Sequence, residues 1–151
     1  MSEPTTPTRD SVLAAAAEIV DAFAATDGER YFATFAPDAT FVFHTEPQRL
    51  GDRAAYERLW AGWVEGGWRV VSCESSDRLV QAFPGGAVFS HSVATTVDTG
   101  EGTESYRERE TIVFRVEEPA TGATDAAAPR LVAVHEHLSP MPEAAASDTA
   151  P

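Results

Sequence analysis

Two stretches near the end of the chain alternate apolar and polar residues with a period of two, the pattern of β-strands whose two faces meet different surroundings. They are residues 106–115 (YRERETIVFR) and 131–140 (LVAVHEHLSP), and a loop-like segment, residues 118–128, separates them. We therefore predict an antiparallel hairpin with a long connection. Pairing Arg115 with Leu131 places Glu110 directly opposite Glu136. Because a strand pair buries one face well, the choice of inward face limits what this chain can do.

The periodicity of the chain changes from helical to strand-like at Trp68. Before that residue, apolar side chains recur at helical spacing, and Asp10 or Ser11 can cap the first helix. The predicted helices are residues 10–27, 28–35 and 53–65, and the predicted strands are residues 40–44, 68–83, 87–98, 106–117 and 131–139. This order predicts an α+β fold in which helices pack against one face of a curved antiparallel sheet. We expect one domain over residues 10–140, with disordered tails at residues 1–9 and 141–151.

The charge of the chain excludes one large class of partners. The formal net charge is -13, from 24 acidic residues against 11 basic residues that are all arginine. Without a basic stripe to neutralise phosphates, we expect neither a nucleic acid nor an anionic membrane as partner. Arginine without lysine, together with many alanines, is typical of a bacterium with GC-rich codons. Because we find no signal-peptide pattern and no apolar run of about 20 residues, we predict a cytoplasmic protein.

Three sequence features together resemble a known superfamily. They are FAPDATF at residues 35–41 after two helices, Gly51 before the third helix, and RET (109–111) followed by VHEHLS (134–139) in the last hairpin. Over residues 11–140 the chain resembles the nuclear transport factor 2-like superfamily and, within it, the SnoaL-like group. This resemblance implies a cystatin-like, cone-shaped fold. In that fold three N-terminal helices pack on the concave face of a curved antiparallel or mixed sheet and enclose an apolar pocket, while the convex face often forms a dimer.

The superfamily includes ketosteroid isomerases, but their working residues are absent here. By the resemblance, the general-base aspartate falls on Phe43, and the two oxyanion donors fall on Ile19 and Ile112. None of these side chains can move or donate a proton, so we reject steroid isomerisation. The pocket's aromatic positions fall on Trp60 and Leu138. The related kinase association domain has arginines at Ile112 and Leu138, so this pocket is less suited to a small carboxylate.

The resemblance also orients the hairpin, because the positions of Ile112 and Leu138 line the pocket in these relatives. We expect the pocket to be lined by Ile19, Phe41, Phe43, Tyr56, Trp60, Trp63, Ile112, Phe114, Val134 and Leu138. Glu110 and Glu136 share the inward face, where a carboxyl pair that holds one proton would be a catalytic acid and base. The alternative is that both lie at a wet rim, or that Arg78 or Arg107 neutralises them.

The outward face of the hairpin carries two histidines, His135 and His137, together with two arginines. Two histidines two residues apart would need a third ligand to bind a metal, and His91 is the obvious candidate. We favour a homodimer interface instead, and we expect no metal. The predicted interface residues are Arg107, Arg109, His135 and His137. Cys73 has no adjacent base to activate it, and its isolation excludes an intramolecular disulfide.

Two hypotheses of function follow. The first is a protein that binds a small apolar or aromatic molecule and could perform cofactor-independent acid–base chemistry of the cyclase, dehydratase or isomerase type, with Glu110 and Glu136 as catalytic residues. We expect no cofactor, because the chain has no glycine-rich phosphate loop. The second is a non-catalytic homodimeric association module that resembles the kinase association domain.

Overall fold

The order of helices and strands is that of an α+β domain in a computed structural model, which describes residues 4–117 and 130–142. The elements are α1 (Arg9–Ala24), α2 (Gly28–Phe32), β1 (Phe35–Phe43), α3 (Arg53–Glu65), β2 (Arg69–Phe83), β3 (Gly86–Asp98), β4 (Thr103–Glu117) and β5 (Arg130–Pro140). The five strands form one open sheet in the order β1-β5-β4-β3-β2. β1 pairs with β5 in parallel, and the other pairs are antiparallel. The predicted fold class, a mixed sheet with helices on one side, is confirmed.

The helix starts follow from short polar side chains that cap them. Thr8 caps α1 by accepting a hydrogen bond from the Ser11 N–H at 3.0 Å, so the helix begins before the predicted cap. Asp52 does the same for α3 through the Ala55 N–H at 2.9 Å, and α3 has the predicted bounds. The largest difference is in β1, which begins at Phe35 where the sequence predicts a helix end and turn. An irregular register between Phe35 and Thr40 lets this segment join β5.

Aromatic side chains fill one half of the space between the helices and the sheet. The ring of Trp60 stacks on Tyr31 at 5.1 Å, and Phe35 contacts Phe41 edge-on at 5.1 Å. On the sheet, this core is completed by the early part of β3, the late part of β4 and Ala133: Ala87, Phe89, Ile112, Phe114 and Ala133 are all buried. The packed half of the sheet therefore lies toward these ends of its strands.

The register of the last hairpin differs from the predicted one. Glu110 pairs with Leu138, and Ile112 pairs with Glu136, so the prediction that Glu110 lies directly opposite Glu136 is wrong by two residues. One of these two residues comes from the starting pair, because Arg115 pairs with Val132 and not with Leu131. The other comes from a β-bulge, at which β5 contains one extra residue relative to β4. Both glutamates still lie on the inner face, as diagonal neighbours on adjacent strands.

The bulge is at Val134, the residue between the two registers. Phe114 pairs with Ala133, and Val113 pairs with His135, so Val134 has no partner on β4. Ala133 therefore points inward with Phe114, and the predicted inward position of Val134 is wrong. Strict alternation cannot predict this extra residue. It assumes that every second side chain of β5 points inward, and the bulge reverses that order after Ala133.

The N-terminal segment contacts the turn between β2 and β3. The Gly85 N–H donates to the Thr5 carbonyl at 2.8 Å, and Pro7 is buried. The predicted disorder of residues 1–9 therefore does not hold for residues 5–7. The predicted hairpin connection and most of the predicted C-terminal tail lie outside the described residues. None of the described helices is long and apolar enough to cross a membrane, and the cytoplasmic location stays a prediction.

Candidate functional site

A cavity of about 470 Å³ lies over the half of the sheet that the aromatic core leaves unfilled. Its floor is the late part of β3, the early part of β4 and the end of β5, and its roof comes from the helices. The apolar wall consists of Ile19, Val20, Phe23, Phe43, Trp63, Trp68, Val93, Val97 and Leu138. The polar wall consists of Tyr31, His44, Thr45, Glu46, Tyr56, Cys73, Thr95, Thr99, Glu104, Tyr106, Glu108, Glu110 and Glu136. This volume is ordinary for a small-molecule site.

The structure divides the residues that the sequence predicts to line a pocket. Those that line the cavity are Ile19, Phe43, Tyr56, Trp63 and Leu138. Those that pack in the filled half of the core instead are Phe41, Trp60, Ile112 and Phe114. Ile112 and Phe41 have no exposed surface, and the rings of Phe35 and Tyr56 pack against Phe41. Val134 lies at the bulge.

Glu110 and Glu136 form a buried carboxyl pair on the cavity wall. Only 7% of Glu110 and 2% of Glu136 is exposed, and one carboxyl donates a hydrogen bond to the other. Burial raises the pKa of both, and the negative charge of Glu110 raises the pKa of Glu136 further, to well above its usual range. The shared proton therefore resides on Glu136. The Glu136 carboxylic acid donates a hydrogen bond to Glu110, which is a carboxylate.

His91 and Ser75 continue this hydrogen-bonded chain on the Glu110 side. The His91 Nε2 atom lies 2.6 Å from Glu110 Oε1, and the Ser75 Oγ atom lies 2.6 Å from His91 Nδ1. Burial lowers the pKa of His91 to about 4, so the ring is neutral. A neutral ring satisfies both contacts when Nε2–H donates to Glu110 and Nδ1 accepts from the Ser75 hydroxyl. The histidine thus orients the carboxylate that receives the shared proton.

Two tyrosines continue the chain on the Glu136 side. The Tyr31 hydroxyl donates to Glu136 Oε1 at 3.4 Å, and it lies 2.9 Å from the Tyr56 hydroxyl. Burial raises the pKa of both phenols well above 10, so both keep their protons. The sequence analysis did not predict Tyr31 or His91 as hydrogen-bond partners of the carboxyl pair. The inward position of His91 is predictable, because strict alternation along β3 places it on the same face as Phe89 and Val93.

A second acid–histidine pair lies nearer the cavity mouth. The His44 Nε2 atom is 2.5 Å from Glu108 Oε2, and the side chains are 33% and 11% exposed, respectively. Alternation from Phe43 predicts that His44 points away from the cavity. Because β1 ends at Phe43, alternation no longer constrains the next residue, and His44 reaches the wall.

The predicted interface residues lie on the other side of the sheet. Arg107, Arg109 and His137 are exposed. The Nδ1 atom of His135 shares a hydrogen bond with Thr40 Oγ1, and the two atoms are 2.7 Å apart. His91 is buried on the inner face, so it cannot complete a metal site with the two outer histidines. Within residues 4–117 and 130–142, no group of three side chains is arranged to hold a metal ion.

Cys73 also lines the cavity, and its chemistry is limited by its surroundings. Burial raises the pKa of its thiol to about 11, and the nearby Glu110 charge acts in the same direction. The Thr95 hydroxyl lies 3.7 Å from its sulfur. At neutral pH the thiol is therefore protonated and a poor nucleophile.

The site as a whole can give and accept a proton without a metal. Glu136 presents a carboxylic acid to the cavity, and Glu110 presents a carboxylate that its neighbours hold in place. An acid and a base on adjacent strands are the two groups that proton-transfer reactions require.

Comparisons with known proteins bear on this geometry. A family model described as a SnoaL-like domain matches residues 12–143. No protein of curated function matches the chain. Among solved structures, an NTF2-like protein of unknown function in nutrient uptake from Rhodospirillum rubrum is 17% identical, with a TM-score of 0.68 over 86% of this chain and 98% of that one.

Two further solved structures have names that suggest different roles. A ketosteroid isomerase-like protein from Erwinia carotovora atroseptica is 16% identical, with a TM-score of 0.66 over 89% of this chain and 96% of that one. The CaMKII hub of S. rosetta is 20% identical, with a TM-score of 0.65 over 91% of this chain and 99% of that one. Identities this low show a shared fold, and a shared fold does not assign a reaction.

Proposed function

Given that this chain belongs to the SnoaL-like family, we propose that it binds a small, largely apolar or aromatic molecule and performs cofactor-independent acid–base chemistry on it. The observation that carries this proposal is the buried pair of Glu110 and Glu136, which holds one proton on the wall of a cavity of about 470 Å³. Pairs of this kind are enriched at catalytic sites, because burial and like charge tune them for proton transfer.

The roles of the two carboxyls follow from where the shared proton resides. Glu110, as the carboxylate, would remove a proton from a carbon or hydroxyl group of the ligand. Glu136, as the acid, would donate a proton to a carbonyl or leaving hydroxyl. Isomerisation, dehydration and cyclisation each combine such steps, and all three fit the pair equally well. Steroid isomerisation is not proposed, because Phe43, Ile19 and Ile112 occupy the positions of its working groups.

The experiment uses tetralone, a two-ring ketone with exchangeable hydrogens next to its carbonyl group. Wild-type protein in deuterium oxide is expected to accelerate deuterium uptake at that carbon, measured by proton NMR. Glu110→Gln and Glu136→Gln should each lose about 100-fold or more of the acceleration, the usual contribution of a positioned acid or base. Glu65→Gln, an exposed change at the end of α3, is the control.

Binding is measured separately by titration calorimetry. Leu138→Trp, which fills the cavity from β5, should abolish tetralone binding, whereas Val88→Trp on the outer face of β3 should not. If tetralone binds to the wild type but exchanges no faster than in buffer, the catalytic half of the proposal is wrong. If it does not bind, the test is repeated with the ligands described below before the binding half is rejected.

The second candidate is a homodimeric association module. It is supported by the hub name of the similar structure from S. rosetta and by the exposed Arg107, Arg109 and His137 on the outer face. This function predicts a dimer in sedimentation equilibrium that Arg109→Glu combined with His137→Glu converts to monomers. A monomeric wild type would contradict it. A dimer without any bound ligand or exchange activity would favour it over the enzyme.

A further inference from the structure

The charges on the cavity wall point to a ligand class, and we infer that the cavity selects a small apolar molecule that carries a positive charge, such as a protonated aromatic amine. This inference rests on the proposed binding function, because it names the kind of ligand that the same cavity would take. Neither the family nor the names of the similar structures assign a charge to the ligand.

Acidic side chains enter the cavity from several elements. The inner face of β4 presents Glu104, Glu108 and Glu110 at every second or fourth residue, from the exposed mouth to the buried end. Glu46 reaches the wall from the segment after β1, and Glu136 reaches it from β5. Even with one proton on Glu136, four carboxylates remain on the wall, so its charge is net negative.

Arginines do not neutralise this wall. The cavity lining contains no arginine among the described residues. On β4, Arg107, Arg109 and Arg115 alternate with the glutamates and therefore point to the opposite face of the sheet. Arg78 lines a separate groove between α1 and β2. The acidic charge inside the cavity and the basic charge outside it are thus separated by the sheet itself.

The apolar part of the wall suits the rest of such a ligand. Trp63 and Trp68 lie 5.1 Å apart at 49°, and both line the cavity together with Phe23 and the half-exposed Tyr106. Aromatic faces next to carboxylates attract a cation through the ring quadrupole as well as through charge. A neutral ligand would desolvate the carboxylates without compensation, and an anionic ligand would be repelled.

The test compares three naphthalene derivatives that share the two-ring system and carry one substituent each, which is positive, neutral or negative. They are naphthylmethylammonium, neutral naphthylmethanol and anionic naphthoate, titrated into wild-type protein by calorimetry at one pH and low ionic strength. The ammonium compound is expected to bind at least about tenfold more tightly than the alcohol, which corresponds to about 1.4 kcal/mol. Naphthoate should bind weakest of the three. The preference for the ammonium compound should shrink as salt is added.

Two matched variants test whether a carboxylate of the cavity wall causes the preference for the ammonium compound. Glu104→Gln should weaken binding of the ammonium compound several-fold and leave binding of the alcohol unchanged. Glu101→Gln removes a charge three residues away in an exposed turn outside the cavity lining, and it should change neither affinity. Both positions are exposed, so both variants are expected to fold.

The outcomes separate this inference from the function on which it rests. If the alcohol binds as tightly as the ammonium compound, or naphthoate binds best, the charge inference is overturned and the binding function stands. If Glu101→Gln weakens ammonium binding as much as Glu104→Gln does, the preference belongs to the overall charge of the protein, and the inference is overturned. If none of the three compounds nor tetralone binds, the proposed binding function fails, and the inference fails with it.

Discussion

The two faces of β4 carry charges of opposite sign in very different surroundings. Its inner face presents Glu108 and Glu110, which are buried and hydrogen-bonded to His44 and His91. Its outer face presents Arg115, which is exposed and forms loose ion pairs with Asp38 at 3.8 Å and Glu117 at 3.1 Å. No buried polar side-chain atom of the described residues lacks a partner. Burial therefore makes the inner charges depend on specific partners, whereas water replaces the partners of the outer charges.

The largest expected effect tests whether the inner face contributes more to stability than the outer face. Ile112→Ala should lower the free energy of unfolding by about 4 kcal/mol, because it leaves a cavity in the filled half of the core. Val113→Ala, one residue along on the outer face, should cost less than about 1.5 kcal/mol. Urea unfolding followed by far-ultraviolet circular dichroism measures both. Equal losses would contradict the contrast between the faces.

A second prediction concerns the pH dependence of stability through His91. Because its pKa is about 4 in the folded protein and 6.5 ordinarily, only the unfolded chain takes up a proton between these pH values. The contribution of His91 to wild-type stability should therefore fall as pH drops from 6.5 toward 4, by up to about 3 kcal/mol, whereas the raised pKa of Glu136 gives a slope of the opposite sign above pH 4.5. His91→Gln keeps a donor for Glu110 but cannot titrate, so this part of the slope should vanish.

The matched control for His91 is His137→Gln, on the exposed outer face. This change should leave the pH slope as it is in the wild type. A wild-type slope in His91→Gln as well would mean that the buried ring is not the group that is held neutral.

A third prediction concerns the proton on Glu136. Its raised pKa means that its contribution to stability is complete below pH 4.5 and is lost as pH rises toward the folded pKa. Glu136→Gln mimics the protonated acid at every pH. Relative to the wild type, its stability should therefore rise as pH increases above 4.5. Glu65→Gln should gain none, and a constant difference between Glu136→Gln and the wild type would place the proton elsewhere.

The smallest expected effect is on the outer face. Arg115→Ala removes two ion pairs whose arginine side chain is 43% exposed. It should change the free energy of unfolding by less than about 1 kcal/mol, and the difference should disappear at high salt. A larger, salt-resistant loss would show that the outer charges are as dependent on their partners as the inner ones.

The contrast between the acidic inner face and the basic outer face of β4 can be predicted from the sequence. Alternation alone places Glu108 and Glu110 on one face and Arg107 and Arg109 on the other. The bounds of α3 are equally readable from a capping aspartate and a terminal pair of glycines. These are local patterns, and local physical rules decide them.

The hairpin register and the cavity walls depend on information that local patterns lack. The bulge at Val134 is one extra residue inside an apolar run, and no turn residue marks it. Trp60 and Trp63 both lie on the inner side of α3, yet Trp60 packs in the core and Trp63 lines the cavity. That division depends on how far each helix extends over the sheet, which is a property of the whole fold.

The three tryptophans of the chain have one further consequence. Trp60, Trp63 and Trp68 are in mutual ring contact, at 6.5 Å, 5.1 Å and 5.1 Å, and Trp60 also stacks on Tyr31. Since there is no tryptophan elsewhere in the sequence, light absorbed at the red edge of the protein spectrum excites this cluster alone. The intrinsic fluorescence of the unlabelled protein is thus an optical reporter of the cavity, and its emission should respond to whatever molecule enters.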